Sequence, residues 1–557
     1  MAMEEIKTPP PVNRKNNQQE RTLVTLIGKG DAPPEISVCQ HDRDMQVAEH
    51  ESVVAILWGQ PTNAHGQKVI SAHQLIETYL HADRFVAGRF CGRFAFLLWD
   101  ARRRRLIVAT DRLARYKLYY HLVTDKTGRW RLRIATSPDT LAEIAEASIE
   151  SRAVHLFLAM GVVPVPFTLW QGIESIPPAS MILFEGKQWV RKNYWQPRFS
   201  YLEHGEAAPL IEQFQTKLHD WVEQYKKQQG LLWLQGSPLD QILLDRLAAE
   251  GVFEPMTISI SADYRPPRRL QQLTERYGVP HQHVPLTAET LLMQLDEIAS
   301  GFHQPVSDIT AVHAYLAQAV GRQSQRQVAT TVGIDAVLAG GPVLNRKTPL
   351  VAQMLKRFGA PDVSEDGLGR YLQLAVRSGL EDAAMDWLQS EGERWLRHIK
   401  ATSSLDQMTF LDWVWRWSSG TFQSPAIAAA FAERDGALQQ SLLSDEWLQW
   451  SCQVPATLKR EGGKPYALLH VMSDDRNPLT TLELQQWPKF HWKMKKTGLI
   501  PATVSSRLTH FFDLNIDAER WQQWLDKLPR VPNRAHSLVL WRLLMLSTWL
   551  KHHSVKR

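Results

Sequence analysis

A chain of 557 residues with 44% hydrophobic and 22% charged residues exceeds one ordinary domain, so two or three domains are expected and core size is not limiting. The net charge of +6 comes from Lys and Arg scattered among acids, which argues against nucleic-acid binding; the densest run, Arg102-Arg103-Arg104-Arg105, reads as a hairpin turn between two apolar strands. Three cysteines, Cys39, Cys91 and Cys452, lack metal spacing and point to a reducing cytoplasm rather than a disulfide framework, and no apolar run reaches membrane-spanning length.

Residues 1–20 read as a polar, disordered tail without the apolar core of a signal peptide. Leu23 to Ile27 reads as a strand, and Ser52 to Gly59 as a second, ended by a turn at Gln60-Pro61-Thr62-Asn63. Ser71 to Leu80 has helical spacing with Ser71 as its cap. Phe90 to Asp100 and Arg105 to Asp111 form one hairpin, Lys117 to Val123 and Arg131 to Thr136 another. This half is strand-rich, an α+β domain of paired sheets. Cys91 lies in a strand and reads as core.

Beyond a linker at about Gln196 to Pro209, Leu210 to Lys227 reads as a helix. Strands follow at Leu231 to Leu234, Met256 to Ser261, His281 to Leu286 and Gln327 to Val332. Helices alternate with them at Arg268 to Tyr277, Leu291 to Ser300 and Thr310 to Val320. That alternation predicts a doubly wound, mostly parallel sheet with its ligand at the C-terminal strand edge. From about Leu355 the pattern is helical, closing with Ser537 to Lys551. The tryptophan pairs Trp413/Trp417, Trp447/Trp450 and Trp521/Trp524 have the spacing of helix packing.

Leu231 to Leu244 carries the chemistry of this half. An apolar strand stops at Gln235-Gly236-Ser237-Pro238, and a helix begins with Asp240 in its first turn. Such a turn aims backbone N–H groups and the positive helix end at an anion, usually a phosphate, although an ordinary strand-to-helix connection has the same outline. Asp240 and Asp335 fall at the ends of adjacent predicted strands, where they either bind a hard cation together or separately cap a helix and a turn. His281 and His283 alternate on a strand and read as structural. Lys459, Arg460 and Lys464 form a basic loop near Gly462-Gly463.

Several separated segments, in one order, resemble the asparagine synthetase family. They are Arg93 to Asp100, Ala109 to Leu113, Lys117 to Tyr120, Thr168 to Pro178 and Tyr194-Trp195, and the resemblance covers about residues 21 to 350. It implies an Ntn-hydrolase-like sandwich at residues 21–200, related to class II glutamine amidotransferases. It also implies an ATP-pyrophosphatase-like doubly wound domain at residues 208–557, helical from about 355. The family's glutaminase uses a cysteine as the first residue and an Asn-Gly oxyanion pair. Here Cys39 is followed by Gln40-His41, and Trp58-Gly59 stands in place of Asn-Gly, so no glutaminase activity is expected. Relatives that lost it, β-lactam synthetases and lasso-peptide cyclases, close an amide from an amine already on the substrate.

In the second domain the resemblance places ATP and pyrophosphate at Gly236, Ser237, Asp240, Gln241 and Gly333, and magnesium at Asp240 and Asp335. Lys464 matches a late phosphate-binding lysine, with Lys493, Lys495 and Lys496 as competitors for that role. The departures are Pro238 for a glycine, Val332 for the acid–base residue and Ala336 for a glutamate. Valine transfers no proton, so the catalytic residue stays unknown. Two readings follow. One is a cytoplasmic, adenylating amide ligase acting on a peptide or small-molecule carboxylate. The other is a pseudoenzyme that binds a partner protein of the same pathway, a peptide or a nucleotide without turnover.

Overall fold

The computed structural model describes residues 23–29, 34–39, 45–63, 69–185, 188–199, 207–228, 230–235, 237–252, 255–261, 265–286, 288–326, 328–331, 333–339, 344, 367–375, 382–401, 403–420, 444–461, 464–465, 468 and 534–553. The polar tail, Trp521/Trp524 and Lys493, Lys495 and Lys496 lie outside the described residues.

The first half is built from two antiparallel sheets. Strands β1 (Leu23–Lys29), β2 (Glu35–Cys39), β7 (Tyr119–Thr124), β8 (Arg129–Ala135) and β9 (Glu174–Ser175) form one, in the order β2-β1-β8-β7-β9. Strands β3 (Met45–His50), β4 (Val53–Asn63), β5 (Phe90–Asp100), β6 (Arg105–Thr110), β10 (Ser180–Glu185) and β11 (Gln188–Asn193) form the other, in the order β11-β10-β6-β5-β4-β3. Side chains alternate across a strand, and β5 uses both faces. Ala95, Leu97 and Trp99 pack between the sheets with Val24, Leu132 and Phe184. Phe94, Phe96 and Leu98 pack outward against Leu75, Ile76 and Tyr79 of α1 (Ala72–Ala82). Helix α2 (Pro138–Ala145) lies against β7 and β8. The result is helix, sheet, sheet, helix.

Two expectations change here. β4 does not end at Gly59: Gln60-Pro61-Thr62-Asn63 stays paired with Phe90 to Arg93. Pro61 is accommodated because β4 is long enough to absorb one missing donor, and Gly59 at φ +81 bends the strand. β2 and β3 escape sequence reading because they are short and mostly exposed: the alternation of β2 rests on Ile36 and Val38 alone, and β3 buries only Ala48. Ser71 caps α1 in a reciprocal capping box with Gln74, as its position suggests.

The second half opens with α4 (Ala207–Gln228) and a sheet of β12 (Leu231–Trp233), β13 (Thr257–Ser261), β14 (His281–Pro285) and β15 (Val328–Thr330). All its pairings are parallel, and the order is β14-β13-β12-β15. Helices α5 (Pro238–Ala249), α6 (Arg268–Tyr277), α7 (Ala288–Ser300) and α8 (Ile309–Gln323) connect them. The described later segments are mostly helical, with one two-residue hairpin pairing Arg460–Glu461 with Lys464–Pro465. No helix among the described residues is long and apolar enough to cross a membrane.

The two halves share a core. One apolar cluster runs from Leu113 and α3 (Ser151–Met160) through the parallel sheet to Trp541 and Trp549 in the helix Arg534–His553. The start of the linker is docked too: Phe199 is buried beside Trp413, with ring centroids 6.2 Å apart.

Candidate functional site

In the parallel sheet the strand order reverses direction between β12 and β15. Helix-connected chains leave that point in opposite directions, and the carboxyl ends of these two strands are where such a sheet is expected to form its ligand crevice. The turn after β12 and the segment after β15 border it, since Trp233 pairs with Thr330.

The first turn is tightly bonded. Ser237 is the N-cap of α5, and its Oγ accepts from the Asp240 N–H at 3.2 Å. Asp240 Oδ2 accepts from the Ser237 N–H at 2.9 Å and the Gln235 N–H at 2.7 Å. Pro238 sits at the first helical position, where the missing N–H costs least and its fixed φ suits a helix start. Asp240 Oδ1 accepts from the Thr331 hydroxyl at 2.7 Å, which ties the turn across to the end of β15. Ser237, Asp240, Gln241 and Thr331 are all buried. An anion at a helix N-terminus with backbone donors aimed at it is the expected electrostatic arrangement. Here the anion is the chain's own carboxylate.

Beyond β15, Gly333 has φ +106, a conformation that L side chains rarely adopt, and caps α9 (Ile334–Val337). Asp335 lies in α9, at the crevice edge. Its side chain, Gly236 and Val332 lie outside the described residues. Thr331 is the residue of this edge that sequence reading missed. Nothing in a Thr-Thr-Val run marks a hydroxyl that reaches back 91 positions to Asp240.

The bland reading of the histidines fits their surroundings. His281 is bonded to Thr257 Oγ1 at 2.8 Å and Ser259 Oγ at 2.9 Å, and His283 to Ser259 Oγ at 2.8 Å. Burial, then the neighbouring His283, lowers His281 to about 4. Lys459 is not part of a basic loop. It ends the helix Ala456–Lys459, fully buried, with its ammonium 2.7 Å from Asp406. The apolar surroundings leave that cation no alternative to an acidic partner. The Lys464 side chain lies outside the described residues.

Among the described residues one trio has metal-ligand proximity: His219, Glu223 and Glu250, with ligand atoms within 4.8 Å. The Lys226 ammonium already sits 2.5 Å from Glu223 and 2.9 Å from Glu250, so the trio reads as a surface ion-pair network.

The first-domain positions that the family uses for amide hydrolysis look different. Trp58 is buried in the inter-sheet core, and its Nε1 has no hydrogen-bond partner among the described residues. Cys91 is buried and Cys39 is exposed at the end of β2. Next to Cys91, the Gly92 N–H donates to Asp445 Oδ2 at 2.8 Å, across to the second half. Arg115 is fully buried between Asp111 and Asp445, 3.2 Å from each. Lys117 donates to Ser418 Oγ at 2.9 Å. Burial pushes this lysine down to about 7, and Asp111 offsets only part of the shift. Sequence reading missed Asp445 and Ser418 because they lie more than 300 positions from their partners.

Two comparisons bear on this arrangement. Residues 71–195 match the glutamine amidotransferase domain family, which covers most of the second sheet and its helices. The paired antiparallel sheets are consistent with the Ntn type of amidotransferase domain. The chain is also 22% identical over 290 residues to asparagine synthetase [glutamine-hydrolyzing] 1 of Bacillus subtilis (strain 168). That match takes in 48% of this chain and 42% of the relative, so it spans less than half the relative's length. Over these stretches the chain is similar to asparagine synthetase, and its first half to glutamine amidotransferase domains.

Proposed function

We propose that the chain descends from ATP-dependent enzymes that form amide bonds through an acyl-adenylate, and that it has no glutaminase activity. The carrying observation is the placement of Asp240 and Asp335 on either side of the strand-order reversal, next to a helix N-terminus. Carboxylate oxygens suit a hard cation, so Asp240 and Asp335 would hold Mg2+. Gln235, Gly236, Ser237, Gln241 and Gly333 would contact the ATP phosphates. The residues fit on one condition: Asp240 must turn from the Gln235 and Ser237 N–H groups, which then face the phosphates. Mg-ATP, when bound, would supply an activated adenylyl group with pyrophosphate as the leaving group, and the chain's own residues would orient it. The substrate in this reading is the carboxylate of a peptide or another natural-product precursor, in the cytoplasm. Lys464 stays a candidate for contact with phosphate.

The absence of glutaminase rests on residues present in the fold. For Cys39 to become a first residue, β1 would have to go, and β1 is the strand that joins β2 to β8. Trp58 offers no amide donor where the family has asparagine.

A second reading has its own observation. Pro238 contributes no N–H, and Asp240 already accepts the donors that a phosphate needs. On that reading the protein is a pseudoenzyme that binds a partner protein of its pathway, a peptide or a nucleotide without turnover.

Calorimetric titration with Mg-ATP, beside the Asp335→Ala variant, tests both. Binding that Asp335→Ala abolishes, with release of AMP and pyrophosphate in the presence of a carboxylate substrate, supports the ligase. Binding without release supports the pseudoenzyme. No binding at millimolar nucleotide removes the nucleotide site altogether, and glutamine hydrolysis above background overturns the reading of the first half.

A further inference from the structure

A cleft of about 1020 Å³ lies between the end of the sandwich and the helical region. One wall is the end of β11 and the linker, with Arg191, Lys192 and Arg198. The other is the helix Asp382–Leu396 and the residues after it, with Arg394, His398 and Lys400. The walls are held together by a backbone bridge between Arg198 and Lys400. Among the described residues no acid lines the cleft. Nearby Glu391 is shared by Arg191 at 3.3 Å and Arg394 at 3.4 Å. Lys192, Arg198, His398 and Lys400 make no ion pair among the described residues. Burial and then the Arg191 charge hold Arg394 below its ordinary range, against the opposing pull of Glu391 and Glu174.

Like charges crowded into one concavity raise the local potential and attract a multiply charged anion. Guanidinium groups match phosphate oxygens in a fork, and ammonium groups add point charges. The side-chain amides of Gln196 and Gln449 also face the cleft and offer hydrogen bonds. The volume is that of a small-molecule site rather than an extended groove. We propose that this inter-domain cleft binds an oligophosphate, either free or as the phosphate tail of a nucleotide. None of its lining residues belongs to the crevice beside β12 and β15, so the inference goes beyond the reading of that crevice.

The test is calorimetric titration of the intact chain with sodium tripolyphosphate in EDTA, which withholds the metal that the proposed crevice site would need. One site is expected, unchanged in Asp335→Ala and weakened roughly tenfold to a hundredfold in the double variant Arg394→Gln/Lys400→Gln. A second double variant, Lys192→Gln/Lys400→Gln, disturbs no carboxylate pair and gives the same readout if the first fails to fold. ATP in the same buffer separates the sources: tighter binding than tripolyphosphate assigns a nucleotide, weaker binding a free oligophosphate, and both uphold the site. No binding at millimolar tripolyphosphate, affinity unchanged in the folded double variants, loss of binding in Asp335→Ala, or tighter binding of hexaglutamate overturns it.

Discussion

The sandwich and the parallel sheet are stabilised differently. β4 and β5 are eleven residues long, and alternating apolar side chains feed two separate clusters, one between the sheets and one under α1. β12 and β15 have three residues each, β13 and β14 five. Their edge is bonded by polar side chains: Asp240 to Thr331, His281 to Thr257, and Ser259 to both histidines. Their apolar core is continuous with α3 of the first half. The sandwich has two apolar clusters of its own beside the shared one, whereas the parallel sheet has only the core it shares with the first half. The seam between them carries buried charges that tolerate no missing partner.

The strongest way to break this contrast is Asp445→Ala. It strips Arg115 of one of its two carboxylates and leaves the Gly92 N–H unpaired, with an expected loss of about 3–5 kcal/mol. Urea denaturation should show it, and a loss below about 1 kcal/mol would mean that the seam is solvated and the halves independent.

Lys117→Met sharpens the contrast through pH. The folded state releases the Lys117 proton near 7, whereas the ordinary lysine value is 10.5. Between those values the unfolded chain binds more protons, so stability rises with pH across that window. Removing the ammonium should therefore raise the melting temperature most below pH 7. The gain should shrink toward pH 10, where only the lost bond to Ser418 remains. A pH-independent difference would contradict the buried, proton-poor lysine.

Ser71→Ala is the smallest test, inside the sandwich half alone. Loss of the α1 cap should cost about 1 kcal/mol, with no change in the pH dependence attributed to Lys117. Thermal melts of the two variants side by side check that separation.

Regular pattern was legible wherever physics is local. The β5–β6 and β7–β8 hairpins, the Ser71 cap, α6 and the parallel pairing of the second-half strands all follow from periodicity and turn residues. The prolonged β4 was not, because Pro61 normally marks a stop. At the candidate site the Asp240 turn was legible as a helix start beside an anion. Asp240 as its own helix cap was one of the two readings that the turn allowed; its tie to Thr331 was not legible, because that hydroxyl comes from the end of another strand. Lys459 failed for the same reason: a lysine beside a basic run looks exposed until Asp406, 53 positions away, is brought to it.

The Arg542 guanidinium donates to the Leu158 and Ala159 carbonyls near the end of α3, at 2.7 and 2.6 Å. During synthesis that donor emerges 384 residues after Leu158. At roughly 5–20 residues per second this is a delay of roughly 20 to 80 s. The sandwich strands are complete long before then, but α3 waits with its terminal carbonyls open. The nascent chain therefore has an interval in which one end of its first half is finished only provisionally, with water on those carbonyls until Arg542 arrives.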